Sequence, residues 1–127
     1  MAGARLDGFV PGAHPIDAYG AGGFSFAGMS HRGSLLCLPS GIWAWPVMHP
    51  SEIDQAVLAP VFAASAEIGL FLIGSGREPW MMPDALRMQF HERKLNVEVT
   101  RTGSAVSTYN ILLGEGRRVA AGLIAED

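Results

Sequence analysis

An uninterrupted apolar run with the sequence IGLFLI occupies residues 68–73, near the middle of the chain. The glycine-containing turn signal GSGR follows it at residues 74–77. The run is too short to cross a bilayer, and a strand with one face in water would alternate polar and apolar residues. We therefore predict a central strand buried on both faces of a sheet. Its loop then lies at the carboxyl end of the strand, where open α/β sheets bind ligands.

The composition of the chain argues against several classes of function. A length of 127 residues predicts one domain with a real core, and 49% hydrophobic against 17% charged residues argues against intrinsic disorder. The net charge of -3 and the lack of any long Lys/Arg run argue against nucleic acid as a partner. No apolar stretch is long enough for direct membrane insertion.

Cysteine and histidine usage points away from disulfides and metal. The single cysteine, Cys37, excludes an intramolecular disulfide and indicates a reducing compartment, so we expect a cytoplasmic protein. The four histidines are far apart and none has a second His or Cys at metal-ligand spacing. We predict no metal and no cofactor. Cys37 ends an apolar strand without a basic neighbour, which is typical of a core thiol.

The first half of the chain is strand-rich. Residues 1–15, rich in Gly, Ala and Pro, predict a flexible lead-in to a single domain over residues 16–127. Short strands are predicted at residues 24–26, 31–38 and 42–47, the last with Pro46 near its end or at a sheet edge. Ser51 predicts the N-cap of a helix over residues 52–64, which Pro60 should kink or split.

The second half alternates strands and helices. Pro83 predicts the start of a helix that runs to about Lys94, with Leu86 and Phe90 as its apolar face. The remaining predicted elements are a strand at 96–100, a helix at 104–114 capped by Thr102, and a strand at 118–124. Strand–helix–strand order from residue 68 onward predicts an α/β sheet with crossover connections.

Several stretches together resemble a small single-domain family of unknown biochemical activity. Its animal members include a mitochondrial complex I assembly factor and an adipogenesis-associated cytosolic protein. The stretches are Ile16–Tyr19 with Gly23–Phe24, Gly74–Arg77, Glu98–Val99 with Thr102, Ala105, Thr108–Asn110 and Glu115–Ala121. The resemblance implies a three-layer α/β domain with a central mixed β-sheet flanked by helices, plus an extra β-hairpin element. It implies no reaction, because the family has no established catalytic residues to carry over.

The strongest ligand-site hypothesis is the loop Gly74, Ser75, Gly76 and Arg77. Two glycines let backbone N–H groups turn toward one point, and an adjacent guanidinium suits phosphate or carboxylate. Arg32, on a predicted strand, could line the same pocket. The alternative is a tight turn in which Arg77 pairs with Glu98 or Glu115. Polar residues around the third helix, from Thr102 to Arg118, are more simply caps and ion pairs.

The segment after this loop is a hypothesis for a partner contact. Trp80, Met81 and Met82 form an apolar, proline-flanked loop tip, which is either core or an adaptable contact surface. Arg87 lies on the adjoining basic side of the second helix.

We interpret the chain as a non-enzymatic protein, monomer or homodimer, that acts through protein–protein contacts. An assembly or accessory role for a membrane complex, with a subunit of that complex as partner, fits the resemblance. The alternative is a small-molecule or anion-binding protein, or an enzyme, that uses the Gly74–Arg77 loop.

Overall fold

A computed structural model describes residues 8–126. In these residues a six-stranded mixed sheet separates two layers, as the predicted three-layer α/β architecture requires. Its strands are β1 (Gly8–Pro11), β5 (Ser34–Leu38), β6 (Gly41–Trp45), β7 (Leu70–Gly74), β8 (Asn96–Thr100) and β9 (Val119–Leu123). Their order across the sheet is β1-β6-β5-β9-β7-β8. The predicted fold class is confirmed.

The strand directions divide the large sheet into two halves. β1, β6, β5 and β9 pair antiparallel in succession, whereas β9, β7 and β8 pair parallel. The predicted buried strand is β7, which is second from the edge, and its four residues after Leu70 are buried. The carboxyl ends of β7, β8 and β9 therefore meet at one edge of the fold.

Helices cover both faces of the parallel half. They are α1 (Gln55–Ala63), α2 (Asp84–Glu92) and α3 (Thr102–Gly114), with short 3-10 turns at Pro50–Glu52 and Ser65–Glu67. The connection from β7 to β8 runs through α2 in one direction, and the connection from β8 to β9 runs through α3 in the other. Because crossover connections between parallel strands share one handedness, α2 and α3 must lie on opposite faces of the sheet. The buried apolar residues of α2 and α3 belong to different cores, as this arrangement requires.

Alternation along the strands builds the two cores. Leu36, Phe71 and Ile73 pack with α1 and α2 on one face, whereas Leu35 and Leu72 pack with α3 on the other. The extra element is a small antiparallel sheet of β2 (Ala18–Gly20), β3 (Gly23–Phe26) and β4 (Met29–Arg32). Its phenylalanines Phe24 and Phe26 are buried in the α3-side core, on one face as predicted.

One predicted strand is wrong. Residues 31–38 form two strands in two sheets, because Gly33 breaks the run with a positive φ of 120°. Such a backbone conformation is open to glycine and strained for other residues. The chain therefore leaves the small sheet at Arg32 and enters the large one at Ser34.

Three predictions about the helices need correction. α1 begins at Gln55, and its N-cap is Asp54, whose side chain accepts a hydrogen bond from the Val57 N–H, so Ser51 is not the cap. The helix runs through Pro60 as one element, so of the two predicted alternatives, a kink or a split, the split is wrong. The N-cap of α3 is Arg101 and Thr102 is its first residue, so Thr102 is not the predicted cap. The Thr102 hydroxyl bonds instead to Gly76 and Ile124.

The predicted lead-in contains regular structure. Gly8–Pro11 pair antiparallel with β6 at one edge of the large sheet, with an irregular register between Gly8 and Val10. Residues 1–7 of the lead-in lie outside the described residues. The division between residues 1–15 and residues 16–127 remains a prediction.

Candidate functional site

The Gly74–Arg77 loop follows β7 at the carboxyl edge of the parallel strands. Two of its backbone N–H groups point into the protein: Ser75 N donates to Thr100 O at 2.8 Å, and Gly76 N donates to Thr102 Oγ1 at 2.8 Å. The Ser75 hydroxyl donates to Glu78 O at 2.7 Å. An anion would have to displace these bonds to bind the loop's N–H groups. The geometry thus favours the tight-turn interpretation of this loop.

Thr102 ties this loop to β9. Its hydroxyl is fully buried, accepts the Gly76 N–H and donates to Ile124 O at 2.7 Å. The Thr102 N–H in turn donates to Gly76 O at 3.0 Å. One side chain therefore joins the ends of β7, β9 and α3, which fixes the point from which residues 77–83 leave the sheet.

The two arginines of the ligand-site hypothesis line different depressions. Arg77 lies between two depressions, of ≈590 Å³ and ≈810 Å³, which it lines with Glu78 and Glu126. Arg32 lines a third, of ≈250 Å³, on the small sheet, where its guanidinium donates to Ala21 O at 3.2 Å. None of these three depressions is lined by both arginines. The role of each in ligand binding remains a prediction.

Residues 79–83 cross from the loop to α2 without regular structure. Met82 is 2% exposed and belongs to the core on the α1/α2 face, so its place in the predicted contact surface is wrong. Trp80 is half-buried against the same core. Met81, between them, is 88% exposed. Two anchored side chains therefore hold an exposed methionine in place.

A groove adjoins this segment. Its volume is ≈650 Å³, and its lining includes Trp80, Met81, Arg87 and the β8 residues Val97–Thr100. Arg87 is exposed on α2. We call Trp80, Met81, Arg87 and β8 the contact surface. It combines an aromatic side chain, a flexible apolar one and a strand at the edge of the sheet.

Two side chains of α3 have structural roles that sequence reasoning did not find. Asn110 accepts the Ile16 N–H at 2.9 Å through Oδ1 and donates to Ile16 O at 2.8 Å through Nδ2. The Tyr109 hydroxyl donates to His14 O at 3.0 Å. The adjacency of Tyr109 and Asn110 in the motif Thr108–Asn110 was the sequence feature that could have indicated these roles. The motif clamps the residues that lead into the small sheet.

Cys37 is a core thiol, as predicted. It is fully buried beside Tyr109, and burial raises the pKa of its thiol to about 12, an effect that the Tyr109 hydrogen bond opposes only in part. A thiol with this pKa is protonated at physiological pH and is a poor nucleophile.

Residues 8–126 show neither a metal-binding cluster nor a membrane-spanning helix. They contain no group of three or more His, Cys, Asp or Glu side chains placed to hold a metal ion. Nor do they contain a helix with the length and apolar character needed to span a bilayer.

Comparison with known proteins places the chain among relatives. The sequence model of the family described as "Protein of unknown function (DUF498/DUF598)" matches residues 16–124. An uncharacterized protein of Rhodobacter capsulatus is 38% identical over 120 residues, which cover 94% of this chain and 90% of that protein.

A mouse relative and a solved structure extend the comparison. The mouse protein, NADH dehydrogenase (ubiquinone) 1 alpha subcomplex assembly factor 3, is 28% identical over 90% of this chain, and the match spans only 62% of its own length. A crystal structure described as an outer membrane protein from Bartonella henselae superposes with a TM-score of 0.90. Its sequence is 44% identical, and the match covers 94% of this chain and 100% of that one.

Proposed function

We propose that this chain, which belongs to the DUF498/DUF598 family of proteins of unknown function, acts without catalysis as an accessory or assembly factor. It works through protein–protein contacts, and its partner is a subunit of a membrane complex that it meets from the cytoplasm. The family membership confirms the resemblance inferred from the residues. The assembly factors named among the relatives support an accessory role.

The observation that carries the proposal is the exposure of Met81. A methionine that is 88% exposed between a half-buried tryptophan and a buried methionine does not contribute to this protein's own core. Anchoring Trp80 and Met82 reduces the freedom that Met81 would lose on binding. A flexible, polarizable side chain on a preorganised segment is suited to contact with another protein.

The experiment is affinity capture from detergent-solubilised lysate of the native organism, read by mass spectrometry. The test variant is Met81→Asp, and the matched control is Met88→Asp, which changes a 55% exposed methionine on α2. We expect subunits of one membrane complex with the wild type and with Met88→Asp, and their loss with Met81→Asp. Equal capture by both variants would overturn the contact surface.

A second candidate function is small-molecule binding. The depression of ≈590 Å³ beside Gly76 and Arg77 has the volume of a ligand pocket, and His49, Ser51 and Trp80 also line it. The test is a thermal-shift screen of metabolites with the wild type and Arg77→Ala. A metabolite that raises the melting temperature of the wild type alone would favour this candidate, and no such metabolite would favour the contact function.

A further inference from the structure

We infer that the outer edge of β8 binds an extended segment of a partner protein as an added strand, with a basic side chain of that segment beside Glu98. This inference rests on the proposed function, because it specifies how the contact surface holds its partner. Strand addition of this kind derives affinity from main-chain hydrogen bonds and specificity from alternate side chains.

The backbone of β8 is oriented for such pairing. Thr100 O accepts the Ser75 N–H, so the N–H and C=O groups of Thr100 face β7. Because these groups alternate along a strand, those of Glu98 and Asn96 also face β7, whereas those of Val97 and Val99 face outward. β8 is the last strand in the sheet order of residues 8–126. Two donors and two acceptors thus lie along its outer edge.

The two edges of the large sheet differ. β1, at the opposite edge, contains Pro11 and has an irregular register against β6, features that discourage further pairing. β8 pairs with β7 in a regular register over all five residues and contains no proline. The edge that is open to strand addition is therefore the one beside Trp80 and Met81.

The groove beside this edge suits the side chains of an added strand. Val97 and Val99 pack toward the α1/α2-side core, as Trp80 does. Alternate residues of an added strand on that face would lie beside Trp80 and Met81 and should be apolar. Residues on the other face lie beside Glu98, which is exposed at the centre of β8.

The charge of Glu98 indicates which kind of chain can add a strand to β8. A second copy of the chain could pair all five β8 residues antiparallel only with Glu98 opposite Glu98. Like charges directly opposite across two strands are unfavourable, whereas a Lys or Arg in that place is favourable. The occupant that fits is a different protein, with apolar residues alternating around a basic one.

The test uses a displayed library of random twelve-residue peptides, selected on the wild type and separately on Glu98→Lys. Glu115→Lys, which changes an exposed carboxylate at the end of α3, is the matched control. We expect alternating apolar peptides with a central Lys or Arg from the wild type and from Glu115→Lys. From Glu98→Lys we expect an acidic residue at the same place, and about fivefold weaker binding of the wild-type peptides.

The backbone bonds are tested with the best synthetic peptide. Its binding should slow hydrogen exchange of the Val97 and Val99 amides, and N-methylation of alternate peptide amides on the paired edge should abolish binding. Failure to enrich any peptide, an unchanged preference with Glu98→Lys, or protection at a different surface would overturn the inference.

Failure of this inference and failure of the proposed function are distinguishable. If Glu98→Lys captures the same membrane-complex subunits as the wild type while Met81→Asp does not, the contact function stands and strand addition is wrong. If Met81→Asp captures them equally well, the contact surface is wrong. If the wild type itself captures no membrane-complex subunit, the proposed function is wrong.

Discussion

Replacing Thr102 by valine tests whether the Gly74–Arg77 loop is held by internal hydrogen bonds. Valine has nearly the shape of threonine but lacks the hydroxyl, so the packing of the buried site is retained. The Gly76 N–H and the Ile124 carbonyl each lose their bond to Thr102, at 2.8 and 2.7 Å. Both groups would remain inside the protein, because Gly76 and Ile124 are themselves buried.

The magnitude follows from two unpaired groups. A buried donor or acceptor that loses its partner costs about 1–3 kcal/mol, and the added methyl group returns about 1 kcal/mol of transfer free energy. At about 2 kcal/mol for each of the two groups, less the contribution of the methyl group, we expect Thr102→Val to lower the free energy of unfolding by about 3 kcal/mol, within a range of about 2–4 kcal/mol. For a domain of this size that corresponds to a fall in melting temperature of roughly 8–15 °C.

Thr102→Ser is the matched control, because it keeps the hydroxyl and removes only the methyl group. Its cost should be about 1 kcal/mol. The assay is urea denaturation of the wild type and both variants, with hydrogen exchange of the Gly76 amide as the local readout. A valine variant as stable as the serine variant, or a Gly76 amide that exchanges no faster, would show that the Thr102 hydroxyl does not hold the loop.

Three further predictions concern the core and the clamp on α3. Asn110→Asp replaces the group that donates to Ile16 O by a carboxylate, so the free energy of unfolding should fall by about 2 kcal/mol in urea denaturation; no change would contradict the clamp. With its pKa raised to about 12, only about one Cys37 thiol in ten thousand is ionised at pH 8, so a disulfide reagent should react only as the protein unfolds, and rapid reaction of the native protein would contradict this. Gly122→Ala would place a methyl group 2.6 Å from the Trp45 ring, so it should destabilise the protein by about 2–3 kcal/mol, and an unchanged melting temperature would contradict the packing.

Periodicity predicted the elements whose local and tertiary preferences agree. The strand at 96–100 has the predicted bounds, and Leu86 and Phe90 are the buried face of α2. The apolar run after Gly69 is a strand buried on both faces, with Phe71 and Leu72 in different cores. In each case the spacing of apolar residues matches the geometry of the element that buries them.

The wrong predictions concern places where one local sequence pattern is compatible with two structures. Ser51 and Asp54 are both suitable N-caps, and the turn at Pro50–Glu52 places Asp54 at the start of α1. Gly33 interrupts a strand pattern, and nothing local distinguishes a bulge from a transfer to another sheet. The positive φ of Gly33 and the different sheets that its flanking strands join decide between these two structures, and both are features of the tertiary structure.

The candidate site was predictable in part. Residues 74–82 lie at the carboxyl edge of the parallel strands, as the order of elements predicted. The partners of the loop could not be predicted, because Thr102 and Thr100 reach it from positions more than twenty residues away. Nor does sequence spacing show that Met82 points into the core while Met81 points out, since residues 79–83 have no regular period.

Photo-crosslinking from position 81 shows whether Met81 contacts a membrane-complex subunit in the cell. Met81 is replaced by a photoreactive benzoylphenylalanine in one sample and Met88 in a matched sample, and each protein is irradiated in its native cells. We expect a crosslink from position 81 to one subunit of a membrane complex and none to that subunit from position 88. No crosslink from position 81, or equal crosslinks from both positions, would contradict this expectation.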